Sequence, residues 1–332
     1  MAAILITGGT GYFGQFCVEF FAASGCQVGY THWSSGPQRH CGKVLPFKVN
    51  LAKGEGLEAC LQGLTRGGAL RLVAVINAAA ISQPAACERD EAAAAAVNVP
   101  THLLAALAWH RQQHGAEPLL IHMSTDQVYD GSKARWREGD PPRPVNAYGR
   151  TKLAAERAVA AGWPNHAILR SSIIFGPEPP VPVGRPLFLQ FIDGALAAGK
   201  PTTFFNDEWR SPIRVRDILR VCQTLINRQD ELQHRLFNMG GPDRLSRADM
   251  AAAVAAACGY DPALILAAPA ASVPRPAPSP ADISMDSSRL EAAMTPFEAA
   301  IRHILGEHQH PDDRHHFPGQ HEHPHPPASR HR

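Results

Sequence analysis

The chain has no excess of charge of either sign: 32 Lys plus Arg stand against 30 Asp plus Glu in 332 residues, a formal net charge of +2. That balance offers no electrostatic footing for nucleic acid or an anionic membrane, and it turns attention to a small-molecule partner. A C-x-x-C pair is also missing. The seven cysteines, Cys17, Cys26, Cys41, Cys60, Cys87, Cys222 and Cys258, are odd in number and scattered, which argues against a disulfide framework or a zinc ribbon and for reduced structural thiols. Long apolar runs are absent too. Nothing approaches the ~18 residues of a membrane span, and MAAILITGG has no basic segment ahead of its short apolar one. A soluble, cytoplasmic protein is the expectation.

What is present is an alternation. Ala3–Thr7, Cys26–Tyr30, Leu72–Asn77, Leu119–Ser124 and Ala167–Ser171 read as strands. Between them, Tyr12–Ser24, Leu57–Arg66, Glu88–Arg111 and Tyr148–Ala161 have helix-forming composition. This rhythm predicts an α/β fold, a doubly wound parallel sheet of the Rossmann type with helices on both faces. The pattern breaks at GPEPPVPVGRP (176–186), too rich in proline for a helix or a central strand.

The division that follows is a nucleotide-binding unit over 1–176, to which 214–240 returns through a helix at Asp217–Asn227 and a strand at Leu236–Met239. A smaller substrate-binding region covers 177–213 and 241–305. It holds a helix at Leu187–Ala198, a strand at Thr202–Phe205, a helix at Ser246–Cys258 and a short closing helix at Thr295–Leu305. Ser246 and Asp249 suit the cap and third helical position of a capping box. APAASVPRPAPSPAD (268–282) reads as a loop.

The segment 306–332 nearly lacks large apolar residues, and it is expected to be a disordered, histidine-rich tail. Its imidazoles have no fixed spacing that would define a metal site.

The glycines of TGGTGYFG (7–14) point to a cofactor. Gly8, Gly11 and Gly14, with Tyr12 and Phe13 among them, follow the first strand and open the first helix. There they permit a tight turn and let backbone N–H groups approach a pyrophosphate. An acid that would bind the ribose 2′-hydroxyl of NAD is missing from VGYTHWSSGPQR (28–39). Thr31, His32, Ser34, Ser35 and Arg39 supply donors and one fixed cation instead, which suit a 2′-phosphate or form an exposed loop. NADP(H) is the favoured cofactor and NAD(H) the alternative. The small side chains of Ala78, Ala79 and Ala80 leave room for it, and Ser82 and Gln83 follow in a loop facing the substrate. Arg210 fits either a bidentate clamp on a diphosphate or a surface salt bridge. Tyr148 and Lys152, four residues apart, share one helical face.

TGGTGYFG, NAAA (77–80), STDQVYDG (124–131) and YGRTK (148–152), in that order and spacing, resemble an extended short-chain dehydrogenase/reductase from about Ala3 to about Leu305. Within that superfamily the chain is most similar to the dTDP-4-dehydrorhamnose reductase group, which also contains the regulatory β subunit of methionine adenosyltransferase. WRSPIRVRDI (209–218), FNMGGPDRLSRADMA (237–251), MDSSRL (285–290) and TPFEAAI (295–301) resemble the β-subunit branch at least as closely. The resemblance implies that Tyr148 is the proton donor, tuned by Lys152, which also binds the nicotinamide ribose. It implies that Thr125, with Ser124 as a second candidate, hydrogen-bonds the substrate carbonyl, and that Asn50 contacts adenine. Asp126, beside Thr125, belongs to the substrate side.

Three functions follow from it. The first is an NADPH-dependent reductase acting on the 4-keto group of a nucleotide-activated sugar. The second is a non-catalytic, NADP-binding regulatory subunit partnering the methionine adenosyltransferase catalytic subunit. The third is a nucleotide-sugar epimerase or dehydratase. A homodimer is compatible with each.

Overall fold

The computed structural model describes residues 2–38, 44–290 and 294–306. Arg39, Cys41 and the histidine-rich stretch from Glu307 onward lie outside the described residues. The chain begins with β1 (Ala2–Thr7), α1 (Tyr12–Ala23), β2 (Gln27–His32), β3 (Val44–Lys48), α2 (Leu57–Thr65) and β4 (Arg71–Asn77). It continues through α3 (Pro84–Arg89), α4 (Glu91–Asn98), α5 (Thr101–His114), β5 (Leu119–Thr125), α6 (Ala147–Gly162) and β6 (His166–Ser171). β7 (Ile174–Phe175), α7 (Phe188–Ala197), β8 (Thr202–Phe205), β9 (Trp209–Arg210) and β10 (Ile213–Arg214) lead to α8 (Val215–Asn227) and β11 (Leu236–Met239). β12 (Leu245–Ser246), α9 (Arg247–Cys258), β13 (Ile265–Ala268) and α10 (Phe297–Gly306) complete it.

The expected doubly wound α/β sheet is present, with seven strands in the order β3-β2-β1-β4-β5-β6-β11. Every neighbouring pair is parallel. Its central strands are largely apolar because both faces are covered. In β1, Ile4 and Ile6 pack with Cys17, Val18 and Phe21 of α1 and Ile218 and Cys222 of α8. Ala3 and Leu5 alternate to the other face, against Leu57, Leu61 and Leu64 of α2 and Leu103 and Leu107 of α5. The strand order reverses at β1, which puts a crevice at the carboxyl ends of β1, β4 and β5.

Outside the main sheet, α7, α9 and α10 enclose a separate core of Leu189, Ile192, Met250, Val254, Phe297 and Ile301. The capping box of α9 forms as expected: Asp249 N–H donates to Ser246 Oγ (3.1 Å), and Ser246 N–H to Asp249 Oδ2 (2.8 Å).

Two elements differ from expectation. β3 is an edge strand carrying Pro46, whose missing N–H is tolerated because one side of an edge strand is unpaired. The expected helix over Glu88–Arg111 is instead three helices. Asp90 leaves helical geometry (φ −149°, ψ 84°) and caps α4 by accepting from Ala93 N–H at 2.9 Å. The second break falls at Val99 and Pro100, between α4 and α5. Against expectation, Glu91–His114 does reach a membrane-like length and apolarity, with a window of mean hydropathy 1.4. Leu103, Ala106, Leu107 and His110 of this stretch are buried inside the protein.

Candidate functional site

The loop after β1 is shaped by contacts that leave no room for side chains. Gly8 has φ +67°, and a Cβ there would lie 2.7 Å from Ala79 Cα, so the loop after β4 must approach it closely. A Cβ on Gly14 would collide with the Gly8 carbonyl oxygen. Thr31 Oγ1 accepts from Gly8 N–H at 3.0 Å, and the Thr31 carbonyl accepts from Gly9 N–H at 3.0 Å. Gly11, at the N-cap of α1, offers no side-chain cap, so the helix's first N–H groups, from Tyr12 on, open onto the crevice. These features fit a pyrophosphate. The chain from Pro177 to Val181 is latched over α1: Tyr12 Oη donates to the Pro177 carbonyl (3.0 Å), and the Gln15 amide makes two 2.9 Å bonds to the Val181 backbone.

A cavity of about 840 Å3 runs from this loop past Thr125, Tyr148 and Lys152 to a wall of arginines. Asn146 caps α6 by accepting from Gly149 N–H (2.8 Å), which sets Tyr148 and Lys152 on the face toward β5. Burial pushes the Tyr148 phenol well above its ordinary value, while a hydrogen bond with Thr125 pulls the other way. Lys152 is 2% exposed. Burial lowers it to about 8 against the opposing pull of Glu156. Thr125 accepts from Gln127 N–H and donates to Asp126 Oδ1, both at 3.2 Å. Ser124 also borders the cavity, but its hydroxyl is held by a shorter bond, donating to Glu156 Oε1 at 2.6 Å. Glu156 in turn pairs bidentately with buried Arg170, at 2.9 and 2.7 Å.

The opposite wall departs from expectation at Arg210. It borders the cavity, but Nη1 donates to the Trp209 and Ala281 carbonyls (2.7 and 3.1 Å) and Nη2 to Ser279 Oγ and the Pro280 carbonyl (both 3.0 Å). Those bonds use its terminal donors to tie down the proline-rich loop, so it makes a poor diphosphate clamp. Two arginines not singled out from sequence stand beside it. Arg247, the first residue of α9, lies over the Phe188 ring (4.5 Å), and Arg275 lies over Phe205 (4.9 Å). Both pair with buried Glu208, as does Arg210 at 3.8 Å.

Arg185 borders the cavity as well, so four guanidiniums stand against the carboxylates Glu208 and Asp126, and positive charge is in excess. Burial and the neighbouring Arg210 lower Arg247 to about 10. Burial also raises Asp126, against Arg210 and a 2.8 Å hydrogen bond from Ser172 Oγ. A lone arginine in a proline-rich loop with no acid beside it was the available signal for Arg275. Arg247 was masked by the capping role of its neighbour Ser246.

Gly8, Gly11, Tyr12, Phe13 and Gly14 border the cavity, and so do Ala78, Ala80, Ser82 and Asp126. Ala79 is turned to the glycine loop, its N–H donating to Thr7 Oγ1 at 3.2 Å. Thr31 supports that loop. His32 is engaged with the Ser35 carbonyl at 3.0 Å. Asn50 is not brought to the cavity: its Nδ2 donates to Glu55 Oε2 (3.3 Å) within a local turn.

The sheet order, the glycine loop at its switch point and the joint placement of Thr125, Tyr148 and Lys152 give a Rossmann-type fold with one cavity at its switch point. The chain belongs to the RmlD substrate binding domain family, whose model matches residues 1–310. It is similar to methionine adenosyltransferase 2 subunit beta of Danio rerio, 28% identical over 323 residues, which cover 92% of this chain and 91% of that one. It is also similar to a probable low-salt glycan biosynthesis reductase of Haloferax volcanii, 32% identical over 224 residues (66% and 71% of the two chains). Among solved structures, dTDP-4-dehydrorhamnose reductase from Bacillus anthracis, in complex with NADP, superposes with a TM-score of 0.73 at 18% identity, covering 92% of this chain and 99% of that one. UDP-glucose 4-epimerase of Thermus thermophilus, in complex with NAD, gives 0.75 at 23% identity with the same coverage. At those identities the structural likeness speaks to the fold alone.

Proposed function

We propose that the protein is an NADPH-dependent reductase of the 4-keto group of a nucleotide-activated sugar. The observation that carries this reading is the continuity of the cavity. Thr125, Tyr148 and Lys152 stand between a glycine loop suited to a dinucleotide and a wall with excess positive charge suited to a second phosphate-bearing ligand. Bound dihydronicotinamide supplies a hydride. The Thr125 hydroxyl holds the substrate carbonyl, and Tyr148 gives its proton to the alkoxide that forms. With its pKa raised by burial, the phenol stays protonated across neutral pH, and the Lys152 ammonium stabilises the phenolate left behind. Arg247 and Arg275 take the diphosphate in place of Arg210.

The preference for NADPH rests on the missing acid after β2 and on a cation beside that position. Lys48, paired in register with His32, lies 5.6 Å over the Trp33 ring. Tighter binding of NADH than of NADPH would remove that preference. For the reaction, the test is oxidation of NADPH on addition of 4-keto nucleotide sugars. Substrate-dependent oxidation is expected, and its absence from a protein that measurably binds the cofactor would count against turnover.

A second reading is favoured by the near full-length match to the β subunit. In it the site holds a nucleotide without turnover and the protein regulates a methionine adenosyltransferase. Co-elution with the catalytic subunit in gel filtration at micromolar concentration would support it, and separate elution would weaken it.

A further inference from the structure

Four buried polar side chains run in line beneath the carboxyl edge of the sheet, and the reading above uses only the last of them, Lys152. The Ala79 N–H donates to Thr7 Oγ1, so the Thr7 hydroxyl keeps its own proton to give, and Asn77 Oδ1 lies 2.6 Å away. That spacing suits O–H···O and is too short for an amide N–H···O, which orients the Asn77 NH2 toward His122. Asn77 Nδ2 stands 2.9 Å from His122 Nδ1, making Nδ1 the accepting nitrogen. The ring is fully buried, and burial, Lys152 and His166 keep it neutral, so its proton resides on Nε2. Lys152 Nζ is 3.4 Å from Nε2. An Nε2–H aimed at an ammonium opposes two donors, whereas aimed at a neutral amine it makes a hydrogen bond.

We propose that His122 is a positioning residue for Lys152. Its Nε2–H tautomer, imposed by Thr7 and Asn77, favours the neutral amine over the ammonium and so weakens the hold of Lys152 on a proton before any ligand binds. The other groups around the pair are accounted for. On α6, Tyr148 precedes Lys152 by one turn and Glu156 follows by one turn, its carboxylate shared by Arg170 of β6 and Ser124 of β5. Asp126 and Cys87 act on Tyr148, and His166 of β6 acts on His122. Among the described residues, His122 alone is within hydrogen-bonding reach of Nζ.

Because this role rests on Lys152 serving Tyr148, the test is read on the free full-length chain, without turnover. The six lysines carry a 13Cε label, the Lys152 signal is assigned by its loss in Lys152→Met, and its titration is followed by NMR. Thr7→Val frees the Asn77 amide to turn, which moves the ring proton to Nδ1 and makes Nε2 an acceptor for the ammonium. Lys152 is then expected to titrate about one pH unit higher. Thr7→Ser, which keeps the hydroxyl, is expected to titrate with the wild type. Imidazole 15N shifts of the unmodified protein supply a second reading that needs no variant of Thr7. The Nε2–H tautomer is expected for His122, and Nδ1–H overturns the assignment. An unmoved Lys152 midpoint in folded Thr7→Val overturns it as well, even where NADPH oxidation persists. Absent oxidation with both NMR results intact would instead fault the reductase reading.

Discussion

The two walls of the cavity are built by different means. Gly8, Ala79, Thr125 and the α6 face rise from parallel strands whose ladders fix their positions, and the polar groups there bond one another across the sheet edge. Arg247, Arg275 and Glu208 come from chain outside the main sheet, held by ion pairs, ring faces and the grip of Arg210 on the backbone of 280–281. Such a division lets the arginine wall vary without disturbing the glycine-loop wall. It also separates the effects that substitutions on each side should have.

The largest effect is expected from Tyr148→Phe. It removes the proposed proton donor while keeping the ring, so kcat should fall about 10²- to 10⁴-fold with NADPH affinity unmoved, as steady-state kinetics and cofactor titration would show. Comparable retention of kcat would mean that the two walls do not meet at this tyrosine.

Glu156→Ala attacks the nucleotide wall from behind. It strands Arg170, 3% exposed, without its carboxylate. Breaking a buried pair of this kind costs about 3–5 kcal/mol, readable in urea denaturation.

Arg247→Ala and Arg275→Ala attack the opposite wall, and each is expected to raise KM about tenfold with kcat and NADPH affinity nearly kept. Since both lean on Glu208, the double variant should lose less than the product of the two losses.

The smallest effect is one of pH. Lys152 is charged below about 8 and loses its proton as pH rises through that value. Thus kcat/KM for reduction should decline on the alkaline side of about 8, up to about tenfold per pH unit. A profile limited by the phenol alone would stay flat well beyond, because burial moves Tyr148 upward.

The same contrast governs what could be read from the residues. β1 announces itself by alternation onto two covered faces, and the glycine loop by its place after an apolar strand. Tyr148 and Lys152 are four apart on one helix, so local geometry alone puts them together. Leu236–Met239 returns to the sheet beside β6, where a short apolar strand was expected. By contrast, nothing near Arg210 in sequence indicates that carbonyls 70 residues away would occupy its donors. Resemblance points Asn50 to adenine, whereas the turn at Glu55 claims its amide. Pro46 disguises β3, an edge strand, in the sequence. His122, set in the apolar run LLIHMST, passed as one more strand residue, although its ring bonds Asn77 and reaches Lys152.

The central claim is that a substrate carbonyl meets hydride and the Tyr148 proton in one cavity. Its most direct test uses NADPH deuterated at the transferred position, incubated with a 4-keto nucleotide sugar and followed by mass spectrometry of the sugar. The account predicts one deuterium at carbon 4 of the reduced product with the wild type and almost none with Tyr148→Phe. Cofactor bound by the wild type with no deuterium reaching the sugar would contradict it.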